Sequence, residues 1–167
     1  SMPTMQPYNP RRHFADLLHA EMQSNPDIVV LTGDLGYKMW TPIEQDFPDR
    51  IHNMGAAEQL LLGAGVGFAL EGKMPVCYSI TPFLLFRPCE VIRNYIDHER
   101  IPVKLVGAGL EEDYAHDGFS HFVYDVPKYM SYFPNIATHY PERDAEALER
   151  EFKAFMQPGP ALITLRR

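Results

Sequence analysis

The sequence predicts an α/β domain built on a doubly wound, mostly parallel sheet. Short apolar runs alternate with amphipathic stretches of helical length along the chain. The runs are apolar throughout rather than at every second residue, as expected of strands covered on both faces. With 167 residues and 46% hydrophobic content, the chain has the size of one domain and enough apolar side chains for a real core.

In chain order, Pro3, Pro7 and Pro10 predict a disordered or clamped arm over residues 1–10, leaving residues 11–167 as the domain. Ser1-Met2 reads as an expression scar. Phe14, Leu17, Leu18 and Met22 recur at helical spacing, and Asn25-Pro26 ends that helix before the apolar run 28–31. The same helix-then-strand unit recurs as a helix over about 56–70 and a strand over 75–80. It recurs again as a helix over about 84–97 and a strand over 103–106. A last helix over about 144–156 turns Leu148, Phe152 and Phe155 inward and Glu146, Glu149, Arg150 and Glu151 outward; the strand 161–165 follows. In doubly wound sheets the chemistry sits on loops at the carboxyl ends of strands. Asp34, residues 79–86 and residues 107–121 all occupy such positions.

A net charge of −7 with acids and bases interspersed argues against a nucleic-acid or bilayer surface. No apolar run approaches the ~20 residues of a membrane span, and the N-terminus lacks the pattern of a signal peptide. Cys77 and Cys89 stand in apolar surroundings without metal-ligand spacing, so reduced core or pocket-wall thiols in a cytoplasmic protein are expected.

The most informative segment is Gly55-Ala56-Ala57-Glu58-Gln59-Leu60-Leu61-Leu62-Gly63-Ala64-Gly65. Each glycine inside a helix loses roughly 1 kcal/mol against alanine, so Gly63, Gly65 and Gly67 predict that something packs very close. Burial of Glu58 beside such a run favours the protonated carboxyl, the profile of a general acid/base or of a proton partner for a heterocyclic cofactor. Glu58 equally suits the first turn of a helix, where the dipole favours a carboxylate.

The longer run 47–73 decides between these. Phe-Pro-Asp-Arg at 47–50, Gly-Ala-Ala-Glu-Gln at 55–59 and Gly-Phe-Ala-Leu-Glu-Gly at 67–72 closely resemble the pyrimidine-binding domain of the transketolase family, whose members use thiamine diphosphate. Thr32-Gly33-Asp34-Leu35, Phe83 with Val91-Ile92-Arg93, Ile101-Pro102-Val103-Lys104 and Asp117-Gly118-Phe119-Ser120-His121 agree in order and spacing. The resemblance implies the thiamine-diphosphate-binding pyrimidine-domain fold. It implies that the Glu58 carboxyl hydrogen-bonds N1′ of the aminopyrimidine and favours its imino tautomer, so that the exocyclic nitrogen can take the proton from the thiazolium C2. It makes Phe83 the residue stacked on the aminopyrimidine and Phe86 a second candidate, also explicable as a core aromatic. It sets Asp34 beside the cofactor pocket and a subunit contact, although Asp34 would also suit a loop cap near Gly33 and Gly36. It turns Asp117 and His121 toward the sugar.

Without the family, two His and two Asp within residues 113–121 could suggest a metal site, but their spacing matches no zinc or helical His pair. His13, His19, His98 and His139 read as surface or helix-end residues. One position departs from the family. Where many transketolases carry a His soon after the strand ending at Val106, this chain has Gly109, which puts ordinary pentose phosphate specificity in doubt.

The resemblance also implies a partner. Family members hold the cofactor's diphosphate and magnesium on a second domain with a Gly-Asp-Gly motif, which this sequence does not contain. The expectation is therefore the small subunit of a split transketolase-like enzyme that transfers a two-carbon ketol unit between sugars or sugar phosphates. A separate chain would bear Gly-Asp-Gly and Mg2+, in an expected α2β2 assembly with the Gly-rich helix as a contact surface. Two alternatives remain: a subunit of a 2-oxo acid decarboxylase or dehydrogenase, which shares the cofactor and the Glu, and a non-catalytic remnant domain used for assembly.

Overall fold

The computed structural model describes residues 1–3 and 6–167; Thr4 and Met5, part of the expected N-terminal arm, lie outside the described residues. Among the described residues one six-stranded sheet has the order β2-β1-β3-β4-β6-β5 with every neighbouring pair parallel. The strands are β1 (Ile28–Thr32), β2 (Ile51–Asn53), β3 (Met74–Ile80), β4 (Lys104–Ala108), β5 (Ala137–His139) and β6 (Ala161–Leu165).

β1, β4 and β6 are buried along their whole length, which is why their sequences are almost continuously apolar. Side chains alternate across the sheet into two cores. Val30, Val76, Val106 and Ile163 meet α1 (Pro10–Ser24) and α7 (Ala145–Phe155) on one face. Leu31, Cys77, Leu105 and Leu162 meet α3 (Glu58–Leu70) and α4 (Thr81–Phe86) on the other. The doubly wound parallel architecture expected from the sequence is the one observed.

α1 begins at Pro10, and the Asn9 side chain accepts from the Arg11 and Arg12 amides, a favoured helix start with Pro in the first turn. The Phe-Pro-Asp-Arg segment is structural. After α2 (Thr41–Asp46) it forms a tight turn, Pro48–Arg50, from which Arg50 donates to the carbonyls of Ile28 at 3.0 Å, Met22 at 3.2 Å and Asn25 at 2.6 Å. One guanidinium thus satisfies two carbonyls left over at the end of α1 and one at the start of β1, next to the edge strand β2.

The helix expected over 84–97 starts earlier and is broken. α4 ends at Phe86, and Pro88, which has no N–H to donate, separates it from the short α5 (Cys89–Val91), which passes into a π-helical stretch, Ile92–Asp97. Strands β2 and β5 and the short helix α6 (Val126–Met130) are additions to the sequence reading. His139 is not a surface helix-end residue: it lies on β5 with its side chain only 13% exposed and Nδ1 2.6 Å from Glu151. Both cysteines are unpaired, Cys77 buried and Cys89 half-buried, and burial pushes the Cys77 thiol up. Among the described residues no helix is long and apolar enough to cross a membrane.

Candidate functional site

From β1 the chain winds one way to β2 and the other way to β3, so the crevice between the carboxyl ends of β1 and β3 is the topological switch point of the sheet. Gly33, directly after β1, borders that crevice: a Cβ there would make ordinary contact with the Ser79 Oγ on β3 at 3.5 Å and with the Gly55 carbonyl oxygen at 3.6 Å. Three groups of residues converge on this edge, one from the start of α3, one from the end of β3 with α4, and one from the loop after β4.

Glu58 opens α3 and is 3% exposed. The Ser79 hydroxyl donates to its Oε1 at 3.2 Å, and Nη1 of Arg87 reaches both carboxylate oxygens at 3.2 Å. A buried carboxylate needs such partners, since an uncompensated one is strongly destabilising. Its position at a helix start adds a favourable dipole. The close packing predicted by the glycines is met at Gly65, where the sheet leaves no space for a side chain. A Cβ on Gly63 or Gly67 would instead meet nothing within 4 Å, and both lie on the outward face with Leu60 and Leu70.

Phe83 lies beside Glu58 through Arg87, whose guanidinium carbon is 3.8 Å from the Phe83 ring centroid. On its other contact the Phe83 ring meets His121 edge-to-face at 4.8 Å. Glu58, Ser79, Phe83, Arg87 and His121 therefore form one connected group.

Phe86 is one turn further along and turns elsewhere: it is 50% exposed and packs edge-on against Tyr129 at 5.1 Å. Asp34 borders a neighbouring cavity of about 640 Å³ at the ends of β1 and β2, lined also by Trp40, Thr41 and Asn53. Its backbone is left-handed at φ 59, and its Oδ1 accepts from Asn53 Nδ2 at 3.1 Å; the side chain that caps this loop is Asn53, whose Oδ1 accepts from the Asp34 and Gly55 amides at 2.9 Å each. Asp117 is on the exposed rim, 3.2 Å from His116 Nε2.

The four His and Asp side chains of residues 113–121 do not converge. Asp113 turns away to Arg166 at 2.8 Å and Arg143 at 3.3 Å, and the Arg167 guanidinium donates to His116 Nδ1 at 2.8 Å. Although burial alone pushes the Asp113 carboxyl up, the Arg166 hydrogen bond and the Leu110 and Arg167 amides hold it below the usual carboxylate range. Among the described residues no group of three or more His, Cys, Asp or Glu could hold a metal ion.

Gly109 also has a structural cause. It follows β4 with φ +84, its amide donates to the Leu165 carbonyl at 2.7 Å, and its carbonyl accepts from Thr81 Oγ1 at 2.6 Å. A Cβ there would lie 2.5 Å from the Tyr114 ring. Tyr114, whose hydroxyl accepts from Arg11 at 3.2 Å, thus takes the space that a side chain at 109 would need. Sequence reasoning missed Arg87, Ser79 and Tyr114. For Arg87 a signal existed, since it stands four residues after Phe83, the spacing that brings two helical side chains together.

Residues 6–167 match the family described as transketolase, pyrimidine binding domain. The chain belongs to that family. It is 33% identical over 124 residues to a subunit of the apulose-4-phosphate transketolase of Actinobacillus succinogenes, covering 74% of this chain and 40% of that protein. It is 28% identical over 153 residues to an uncharacterized 33.6 kDa protein in the fasciation locus of Rhodococcoides fascians, covering 92% of this chain and 48% of that one. A solved structure described as a split gene transketolase, inactive beta4 tetramer, superposes with a TM-score of 0.81 at 31% identity, over 94% of this chain and 50% of the other. The chain thus spans about half the length, or less, of the relatives it matches.

Proposed function

We propose that this chain supplies the pyrimidine half of a thiamine diphosphate site in a cytoplasmic, transketolase-like enzyme. The reaction is transfer of a two-carbon ketol unit from a ketose or ketose phosphate to an aldose. A second polypeptide bearing a Gly-Asp-Gly motif would hold the diphosphate and Mg2+, in an α2β2 assembly. The observation that carries this reading is the buried Glu58 carboxylate beside Phe83 at the switch point of the sheet. Similarity to a split gene transketolase and to an apulose-4-phosphate transketolase subunit supports the two-chain form.

The residues present fit an aminopyrimidine. Glu58 offers a hydrogen-bond acceptor whose side-chain partners among the described residues are Ser79 and the half-exposed Arg87. Phe83 offers a flat apolar face, and stacking contributes about 0.5–1.5 kcal/mol beyond burial. When bound, thiamine diphosphate supplies the carbanion stabilisation needed to break a carbon–carbon bond next to a carbonyl. Glu58 holds a proton at the pyrimidine N1′, and Ser79 keeps the carboxylate oriented for it. His121, in contact with Phe83, and Asp117 on the rim would face the sugar hydroxyls, and Asp34 lines the neighbouring cavity at the ends of β1 and β2. The outward face of α3, with the exposed Leu60 and Leu70 flanking Gly63 and Gly67, would give the partner an apolar surface.

The test is capture of the protein from its native cells, with mass spectrometry of what co-purifies and an assay for thiamine diphosphate in the eluate. Recovery of a Gly-Asp-Gly chain together with the cofactor supports the two-chain enzyme, and Glu58→Gln should then abolish ketol transfer by the complex. Recovery of this chain alone, monomeric and indifferent to thiamine diphosphate, would assign it to assembly rather than catalysis.

A further inference from the structure

Arg87 makes both of the contacts that define the proposed pyrimidine site. Its guanidinium carbon sits 3.8 Å from the Phe83 centroid, at van der Waals separation, so no second planar group can lie on that face of the ring. Its Nη1 bridges both oxygens of Glu58 at 3.2 Å. A guanidinium is flat, stacks on aromatic faces and donates N–H groups in its own plane. An aminopyrimidine would use Phe83 through the same flatness, and Glu58 through a proton shared in the ring plane at N1′.

We propose that Arg87 is the free chain's own occupant of the pyrimidine site, and that its side chain must leave Phe83 and Glu58 for the cofactor to enter. This rests on the reading of Glu58 and Phe83 given above.

The arrangement explains how the free chain tolerates Glu58. The carboxylate is 2% exposed, and removing the cation beside it would leave a buried charge held by a single serine hydroxyl. Arg87 is also placed to leave. Its side chain is 49% exposed, and it sits at the break between α4 and α5 just before Pro88. The Gln59 amide donates to the Arg87 carbonyl at 3.4 Å, which holds the backbone while the side-chain torsions stay free. Rotation into solvent therefore needs no movement of the helix. The exchange replaces one flat group on Phe83 by another, and a proton shared between Glu58 and N1′ takes the place of the Arg87 N–H on the carboxylate.

Two measurements test this. The first uses the free chain: thermal unfolding of wild type, Arg87→Met, Glu58→Gln and the double variant. Coupling is expected, with Arg87→Met lowering the Tm in the wild-type background and much less in the Glu58→Gln background. The second uses the captured complex stripped of cofactor, titrated calorimetrically with thiamine diphosphate and Mg2+. Arg87→Met should bind the cofactor at least tenfold more tightly than wild type. Arg87→Lys, which keeps the charge without the flat face, should fall between them. Equal or weaker binding by Arg87→Met, with wild type and Phe83→Ala behaving as a pyrimidine site requires, would overturn the exchange and leave the functional reading standing. If no variant binds thiamine diphosphate while the Arg87–Glu58 coupling persists, the pair is a permanent structural one and both ideas fail. Absence of coupling in the free chain would show that Arg87 does not occupy the site, and would overturn the inference alone.

Discussion

Gly65 and Cys77 are in direct contact where α3 crosses β3: a Cβ on Gly65 would lie 2.8 Å from the Cys77 Sγ and 3.4 Å from Val103. The helix that begins with Glu58 is seated on the sheet at this point, so the depth of the carboxylate depends on the missing side chain. Gly65→Val should destabilise the free chain by about 1–3 kcal/mol, the usual range for overpacking. Urea unfolding would check this, and an unchanged midpoint would mean that α3 can lift off the sheet without loss.

Gly63 is expected to behave in the opposite way. It is helical and nothing lies within 4 Å of an added Cβ, so Gly63→Ala should stabilise the free chain by up to about 1 kcal/mol through helix propensity. The larger Gly63→Leu should leave folding intact and reduce recovery of the partner chain in co-purification. Full recovery with Gly63→Leu would remove α3 from the proposed contact surface.

Introducing a histidine at 109 should fail. With φ +84 and the Tyr114 ring in the way, Gly109→His combines backbone strain of about 1–3 kcal/mol with a steric clash. Gly109→Ala should already lower the Tm, and adding Tyr114→Ala to it should relieve the clash but leave the strain. Thermal unfolding of the two single variants and the Gly109→Ala/Tyr114→Ala pair separates the two contributions.

The two phenylalanines of α4 should differ. Phe83 touches Arg87 and His121 in the site, whereas Phe86 packs on Tyr129 at the surface. Phe83→Ala should weaken thiamine diphosphate binding by the complex by about tenfold or more, matching loss of a stacking contact plus burial. Phe86→Ala should change it about threefold or less by the same reasoning. Calorimetric titration of both variants would decide, and a reversed order would move the stacking role to Phe86.

Asp113 should make the fold acid-sensitive. Its carboxyl is held below the ordinary range in the folded chain, where burial alone would raise it, chiefly by the hydrogen bond from Arg166. The folded form therefore binds this proton less readily than the unfolded one. The stability it contributes is complete above the unfolded value of about 4 and is lost as the pH falls through the lower folded value. Asp113→Asn should be less stable at pH 7 by about 1.5–3 kcal/mol, the range for hydrogen bonds to charged groups. Between about pH 4 and pH 2 its unfolding midpoint should fall less steeply than that of wild type. Parallel curves for the two proteins would show that Asp113 is not the titrating group.

The sequence by itself determined the sheet class, four strands and the residue at the centre of the proposed site. Those strands are buried on both faces, and the chain therefore writes them as apolar runs, as at Leu31, Val76, Val106 and Ile163. It could not locate β2 and β5, because three residues at a half-exposed sheet edge carry no distinguishing pattern. It marked Gly63, Gly65 and Gly67 alike as points of close approach, and only the packing of α3 on β3 separated the inward one from the two that face out. The tertiary structure alone decided what surrounds Glu58. Arg87 is 29 residues away along the chain, and Ser79 is 21 residues away. Hydrophobic periodicity records which face of an element is buried, but an ion pair between elements depends on how their ends are set against one another, and that is fixed only when the two faces of the sheet are packed.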